Sequence, residues 1–104
     1  MKKLLICCLF GETAGILAKR MQKIADAQDL DLLISAVGIE NYPSVAPAYD
    51  CVLVAPHIQY KINEFTHALN HHQEIAVIES LPYASFDGEK VLKFAIAHMP
   101  QSLF

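Results

Sequence analysis

This sequence predicts an α/β fold: a four-stranded parallel open sheet in the order 2-1-3-4 with helices on both faces, a Rossmann-like three-layer architecture. Three observations point there. The 104 residues are 54% hydrophobic and 18% charged, enough apolar surface for one core covered on both sides of a sheet, and too short a chain for two. Short continuous apolar runs, the mark of strands buried on both faces, alternate with segments in which apolar residues recur every three or four positions. Right-handed crossovers between parallel strands then confine such an alternation to a small open sheet. A single domain over residues 1–104 is expected.

The first apolar run is Leu4 to Leu9, and from Thr13 the period changes to a helical one carried by Ile16, Leu17, Met21 and Ile24, with Lys19, Arg20, Lys23 and Asp26 on the other side. Leu30 to Val37 is the second strand, followed by a stretch punctuated by Gly38, Asn41, Pro43 and Pro47 that carries little regular helix. "CVLVAP", Cys51 to Pro56, repeats the buried-strand pattern. Ile58, Ile62, Phe65 and Leu69 form the inner stripe of the next helix, which stops near the polar segment Asn70 to Glu74. Ile75 to Ile78 is the fourth strand. After the loop "ESLPYASFDG", Val91, Leu92, Ala95, Ile96 and Met99 mark a last helix with Asp87 as N-cap and Pro100 beyond its end.

Composition excludes several functions. A net charge of -3 gives no electrostatic reason to bind nucleic acid or an anionic membrane. Cys7, Cys8 and Cys51 are an odd number of thiols without C-x-x-C spacing, which suggests neither a disulfide framework nor a redox pair and fits a reducing cytoplasm. Lys2 and Lys3 ahead of Leu4 to Phe10 imitate a secretory leader, but Gly11 and Glu12 interrupt the run and no small residue stands where cleavage requires one. No segment approaches the ~18 apolar residues of a membrane span, so no membrane insertion is expected. His71 and His72 are adjacent, with no Cys, Asp or Glu at ligand spacing to both, and no metal or other cofactor is implied.

In the order 2-1-3-4 the chain direction switches between strands one and three, and ligands of open α/β sheets settle at such a point, beyond the carboxyl ends of the strands. Two loops meet there, Cys8 to Gly15 and Ala55 to Gln59. The first, "CLFGETAG", puts backbone N–H groups at a helix N-terminus, where free donors and the helix dipole attract an anion. Gly11 and Gly15 let the backbone curl, Thr13 adds a hydroxyl, and a thiol at Cys8 feels the same field. A cysteine beside an anion cradle can attack phosphorus and have its phosphoryl oxygens held by the same N–H groups. A cysteine phosphatase would need an arginine six residues after the nucleophile, whereas that position is Ala14 and the only arginine is Arg20. A flavodoxin-type protein would use "FGETAG" to hold the phosphate of FMN, but this short chain has no Trp and little loop to sandwich a flavin.

The chain also resembles a known family over nearly its whole length: the IIB component of the lactose/cellobiose type of the bacterial sugar phosphotransferase system. That family's opening loop, C-x-x-G-[M/L]-S-[S/T]-S before a helix with a basic residue and Met, is matched by Cys8, Gly11, Thr13 and "LAKRM". "YDCVLVAPHIQY" is similar to its third-strand segment, and "IAVIESLPYASFDGEKVLKFA" to its fourth strand and last helix. The resemblance implies a cytoplasmic phosphocarrier whose Cys8 takes a phosphoryl group from a phosphohistidine of the IIA component and delivers it to a lactose-, cellobiose- or chitobiose-type sugar held by the membrane IIC component. The phosphate would be held by Phe10, Gly11, Glu12, Thr13, Ala14, Gly15 and His57. His57 stands where the family has Gln and is read as a donor, the alternative being a solvated loop histidine.

Departures from the family pattern leave an alternative open. Glu12 replaces an apolar residue, and Ala14 and Gly15 replace hydroxyl donors. A carboxylate about 5 Å from a phosphate would oppose it by roughly 3 kcal/mol at an effective dielectric of 20, comparable to one or two charge-assisted hydrogen bonds. The preferred reading turns Glu12 outward into solvent; the alternative is a degenerate IIB-like binding or regulatory module without phosphotransfer. Leu9 and Phe10 are expected either as an apolar docking surface for IIA or as extra core. Cys51 is expected in the core.

Overall fold

The apolar runs become the sheet. The computed structural model describes residues 2–70 and 72–99. Lys2–Cys8 forms β1, Leu32–Gly38 β2, Cys51–Val54 β3 and Glu74–Val77 β4. All pairs are parallel and the order is β2-β1-β3-β4, as the sequence predicts. The two central strands run Leu4 to Cys8 and Cys51 to Val54 almost without exposure, because a strand with neighbours on both edges and helices on both faces meets no water.

Helix α1, Glu12–Ala27, crosses from β1 to β2. A short α2, Tyr42–Val45, runs into a 3₁₀ turn at Ala46–Ala48 and leads to β3. A 3₁₀ segment, Pro56–Lys61, continues into α3, Ile62–His67. After β4 come α4, Ser80–Ala84, and α5, Gly88–His98. The right-handed rule puts α1 on one face and the leftward-to-rightward crossovers through α2 and α3 on the other. The contacts agree: α5 packs on α1, and Tyr42 of α2 stacks on Phe65 of α3 at 4.0 Å while donating its hydroxyl to the Phe65 carbonyl.

Several expectations shift. The inner stripe of α1 is Ala14, Leu17, Ala18, Met21 and Ala25, whereas Ile16 is 49% exposed. Small alanines let the helix lie close to the sheet, and helical phase turns the larger Ile16 away from it. The loop after β4 contains α4, with Pro82 in its first turn, where a missing N–H breaks no helical bond. Asp87 caps α5 as expected, accepting from the Lys90 N–H at 3.1 Å. Pro100 and His71 lie outside the described residues. Among those described, no three His, Cys, Asp or Glu side chains gather at metal-binding distance, and no helix is long and apolar enough to cross a membrane.

Two glutamines fasten the sheet's edges. Gln22 of α1 imitates a neighbouring strand for the edge strand β2: its amide donates to the Leu32 carbonyl at 2.9 Å and accepts from the Ile34 N–H at 2.8 Å. Gln73, buried ahead of β4, donates to the carbonyls of Ala46 and Tyr49 and accepts from the Asn70 N–H. This ties the approach to β4 to the approach to β3. Gln73→Ala would strand those groups, and a loss of about 1–3 kcal/mol in urea-unfolding free energy is expected; an unchanged midpoint would show that the amide holds nothing together.

Candidate functional site

β1 ends in two cysteines whose side chains the pleat directs differently. Cys7 is wholly buried, and burial, reinforced by the neighbouring Cys8, pushes its thiol up to about 12. Cys51 is equally enclosed in β3; burial first, then the charges of Glu74 and Asp50, push its thiol up to about 12. Both are core residues that hold their protons at neutral pH. Cys8 differs. It is 3% exposed, but its side chain lines a cavity of about 180 Å³ together with Leu9, Phe10, Glu12, Thr13 and His57.

The turn after Cys8 brings the backbone back to the sulfur. Gly11 has φ 86, the left-handed region that side chains resist, and its N–H donates to Cys8 Sγ at 3.0 Å. A Cβ on Gly11 would come within 3.1 Å of the Gly38 nitrogen, and one on Gly38 within 3.0 Å of the Phe10 carbonyl carbon. These two glycines let the loop lie against the end of β2, where the Ile39 N–H also donates to the Leu9 carbonyl. Gly11 is the N-cap of α1, so the N–H groups of Glu12, Thr13 and Ala14 have no carbonyl one turn back and stand at the positive end of the helix dipole.

Gly15 is the exception to the expected cradle. It sits inside α1, its N–H is bonded to the Gly11 carbonyl at 2.9 Å, and it has no donor left for an anion. Leu9 and Phe10 do not fold inward as extra core: they are 38% and 80% exposed at the cavity rim. Glu12 is exposed in the first turn of α1 but still borders the cavity. His57, at the start of the 3₁₀ segment after β3, is exposed on the cavity's far side from β1 in sequence, brought there because β3 pairs with β1. Arg20 is remote in role: its guanidinium lies over the Phe86 ring at 5.5 Å and donates to the Phe86 carbonyl.

One residue of the site escaped the sequence reading. Tyr83 of α4 is buried, its ring 5.8 Å from that of His57 and its phenol acted on by both Cys8 and Thr13. The signal was there in "IAVIESLPYASFDGEKVLKFA", where Tyr83 falls on a tyrosine of the similar family segment, but the segment was read only as loop.

The fold and site define a small parallel α/β domain with a thiol at its switch point, in contact with a backbone N–H at the head of a helix. The family model for the lactose/cellobiose-specific IIB subunit of the PTS system matches residues 3–94, and the chain belongs to that family. The oligo-beta-mannoside-specific EIIB component of Bacillus subtilis (strain 168) is 26% identical over 100 residues, covering 95% of this chain and 97% of that protein. The solution structure of a cellobiose-specific phosphotransferase IIB component from Borrelia burgdorferi superposes with a TM-score of 0.73 at 26% identity, over 92% of this chain and 89% of that one. A lactose-specific IIB domain from Streptococcus pneumoniae has the same fold, with a TM-score of 0.80 at 19% identity over 93% and 96% of the two chains.

Two tests follow from the geometry. At pH 8, iodoacetamide is expected to modify Cys8 alone in the folded protein, with Cys7 and Cys51 reacting only after denaturation; peptide mass mapping that finds all three equally modified would contradict the assignment of the cavity to Cys8. Gly11→Ala is expected to cost about 1–2 kcal/mol through its left-handed backbone and to slow Cys8 alkylation, read by thermal melting and the same mapping. A variant as stable and reactive as the parent would show that the turn does not need glycine.

Proposed function

We propose that this IIB-family chain is a cytoplasmic phosphoryl carrier, the phosphocysteine component of a sugar phosphotransferase. The observation that supports it most directly is the 3.0 Å contact from the Gly11 N–H to Cys8 Sγ at the head of α1. In this reading Cys8 attacks as the thiolate, its proton having left to solvent. The P–N bond of a phosphohistidine on a IIA component breaks, the electron pair stays with the imidazole nitrogen, and an S–P bond forms. The phosphoryl oxygens then accept from the Gly11 N–H in place of the sulfur and from the N–H groups of Glu12, Thr13 and Ala14, with the Thr13 hydroxyl and His57 as side-chain donors. A sugar held by a membrane IIC component attacks phosphorus next and releases Cys8. The lactose/cellobiose family match and the relatives named for cellobiose and oligo-beta-mannosides support an oligosaccharide of that class as the substrate.

A second reading, a IIB-like binding or regulatory module without phosphotransfer, draws on one observation: Glu12 brings a carboxylate to the rim of the same cavity. An FMN carrier is disfavoured, because about 180 Å³ beside Cys8 is small against the roughly 300–1,000 Å³ of typical ligand pockets.

Incubation with a phosphorylated IIA protein is expected to add one acid- or iodine-labile phosphoryl group by intact mass, absent from Cys8→Ala and Cys8→Ser. A wild-type chain that binds IIA yet never gains the mass would favour the second reading.

A further inference from the structure

Among the described buried side chains, one polar atom makes no hydrogen bond: the Tyr83 hydroxyl. The residue is only 5% exposed, and a buried hydroxyl without a partner is costly unless something else answers it. Its surroundings say what. The phenol lies beside Cys8 and the Thr13 hydroxyl, and its ring is tilted against His57 at 5.8 Å, so it packs against three of the residues that line the Cys8 cavity. Neither neighbour satisfies it, since neither the thiol nor the Thr13 oxygen reaches it with bonding geometry.

We infer that Tyr83 donates its hydroxyl hydrogen to an oxygen of the phosphoryl group on Cys8, supplying from α4 a hydroxyl donor that the α1 loop lacks at Ala14 and Gly15. This rests on the phosphocarrier reading. The cradle then draws on two elements: backbone N–H groups from the head of α1, and a phenol from the helix after β4. A group placed only to receive phosphorus oxygens has no partner before the transfer and gains one after it. The S–P bond forms and the P–N bond breaks as described above, and the Tyr83 proton is shared in a hydrogen bond and stays on its oxygen. Burial, and after it the charge at Cys8, hold the phenol well above its ordinary ionisation range, so it is a donor at every physiological pH.

Tyr83→Phe keeps the ring and removes only the hydroxyl. Loss of an unpartnered group predicts an unphosphorylated variant that melts at the same temperature as the parent or higher. Loss of a donor to a charged phosphoryl group predicts an equilibrium phosphorylation of Cys8 by phosphorylated IIA reduced about tenfold or more, and a faster loss of the phosphoryl group. A purely structural tyrosine would give the opposite pair, a lower melting temperature and unaltered phosphorylation of the folded fraction, and would overturn the inference. In the wild type, the NMR resonance of the Tyr83 Cζ carbon is expected to move on phosphorylation; a resonance that stays fixed would also overturn it. A wild type that takes no phosphoryl group defeats the carrier reading and this inference together. A wild type and a Tyr83→Phe variant that hold it equally well defeat the inference alone.

Discussion

The close approach of Gly11 to Gly38 is the constraint on which the site depends. A loop leaving the middle of a parallel sheet has to turn immediately, because the next strand lies alongside and the helix has to begin within a few residues. With φ 86 at Gly11 and 3.1 Å between its notional Cβ and the Gly38 nitrogen, no side chain fits at either place without moving the backbone. The turn directs the Gly11 N–H at Cys8 Sγ and starts α1 at the next residue. The turn that starts the helix is therefore also the turn that sets a backbone donor against the thiol.

The two neighbouring cysteines illustrate how a single residue of offset decides chemistry. Cys7 still lies within the sheet, between β2 and β3, where apolar surroundings keep its proton bound. Cys8 is the last residue of the strand and its side chain reaches the cavity. The same residue type is sealed in the sheet in one register and borders a cavity in the next, and the termination of β1 is what separates them.

Much of this was legible in the sequence, for reasons that can be stated. Buried parallel strands write themselves as uninterrupted apolar runs, so "LLICC" and "CVLV" were visible, and handedness then fixed the order of the sheet. Cys8, Gly11 and Thr13 were visible because a thiol, a glycine and a hydroxyl at a strand-to-helix change have few other reasons to occur together. What was not legible depended on distance in space or on phase. Gly15 looked like part of the turn, yet its place one turn into α1 spends its N–H on the Gly11 carbonyl. Ile16 looked like core by type, while the alanines at 14, 18 and 25 set the buried face. Tyr83 is 75 positions from Cys8, and nothing in the local pattern of "SLPYA" could bring it there without the pairing of β4 with β3.

That last arrangement divides the site between parts of unequal firmness. Cys8 sits at the end of a strand flanked on both sides. Tyr83 hangs from the element following β4, which has a neighbour on one side only. Edge elements exchange their backbone hydrogens first when a domain breathes. The Cys8 thiol is thus tied to the middle of the sheet, and the phenol near it to a part that a single strand pairing holds in place.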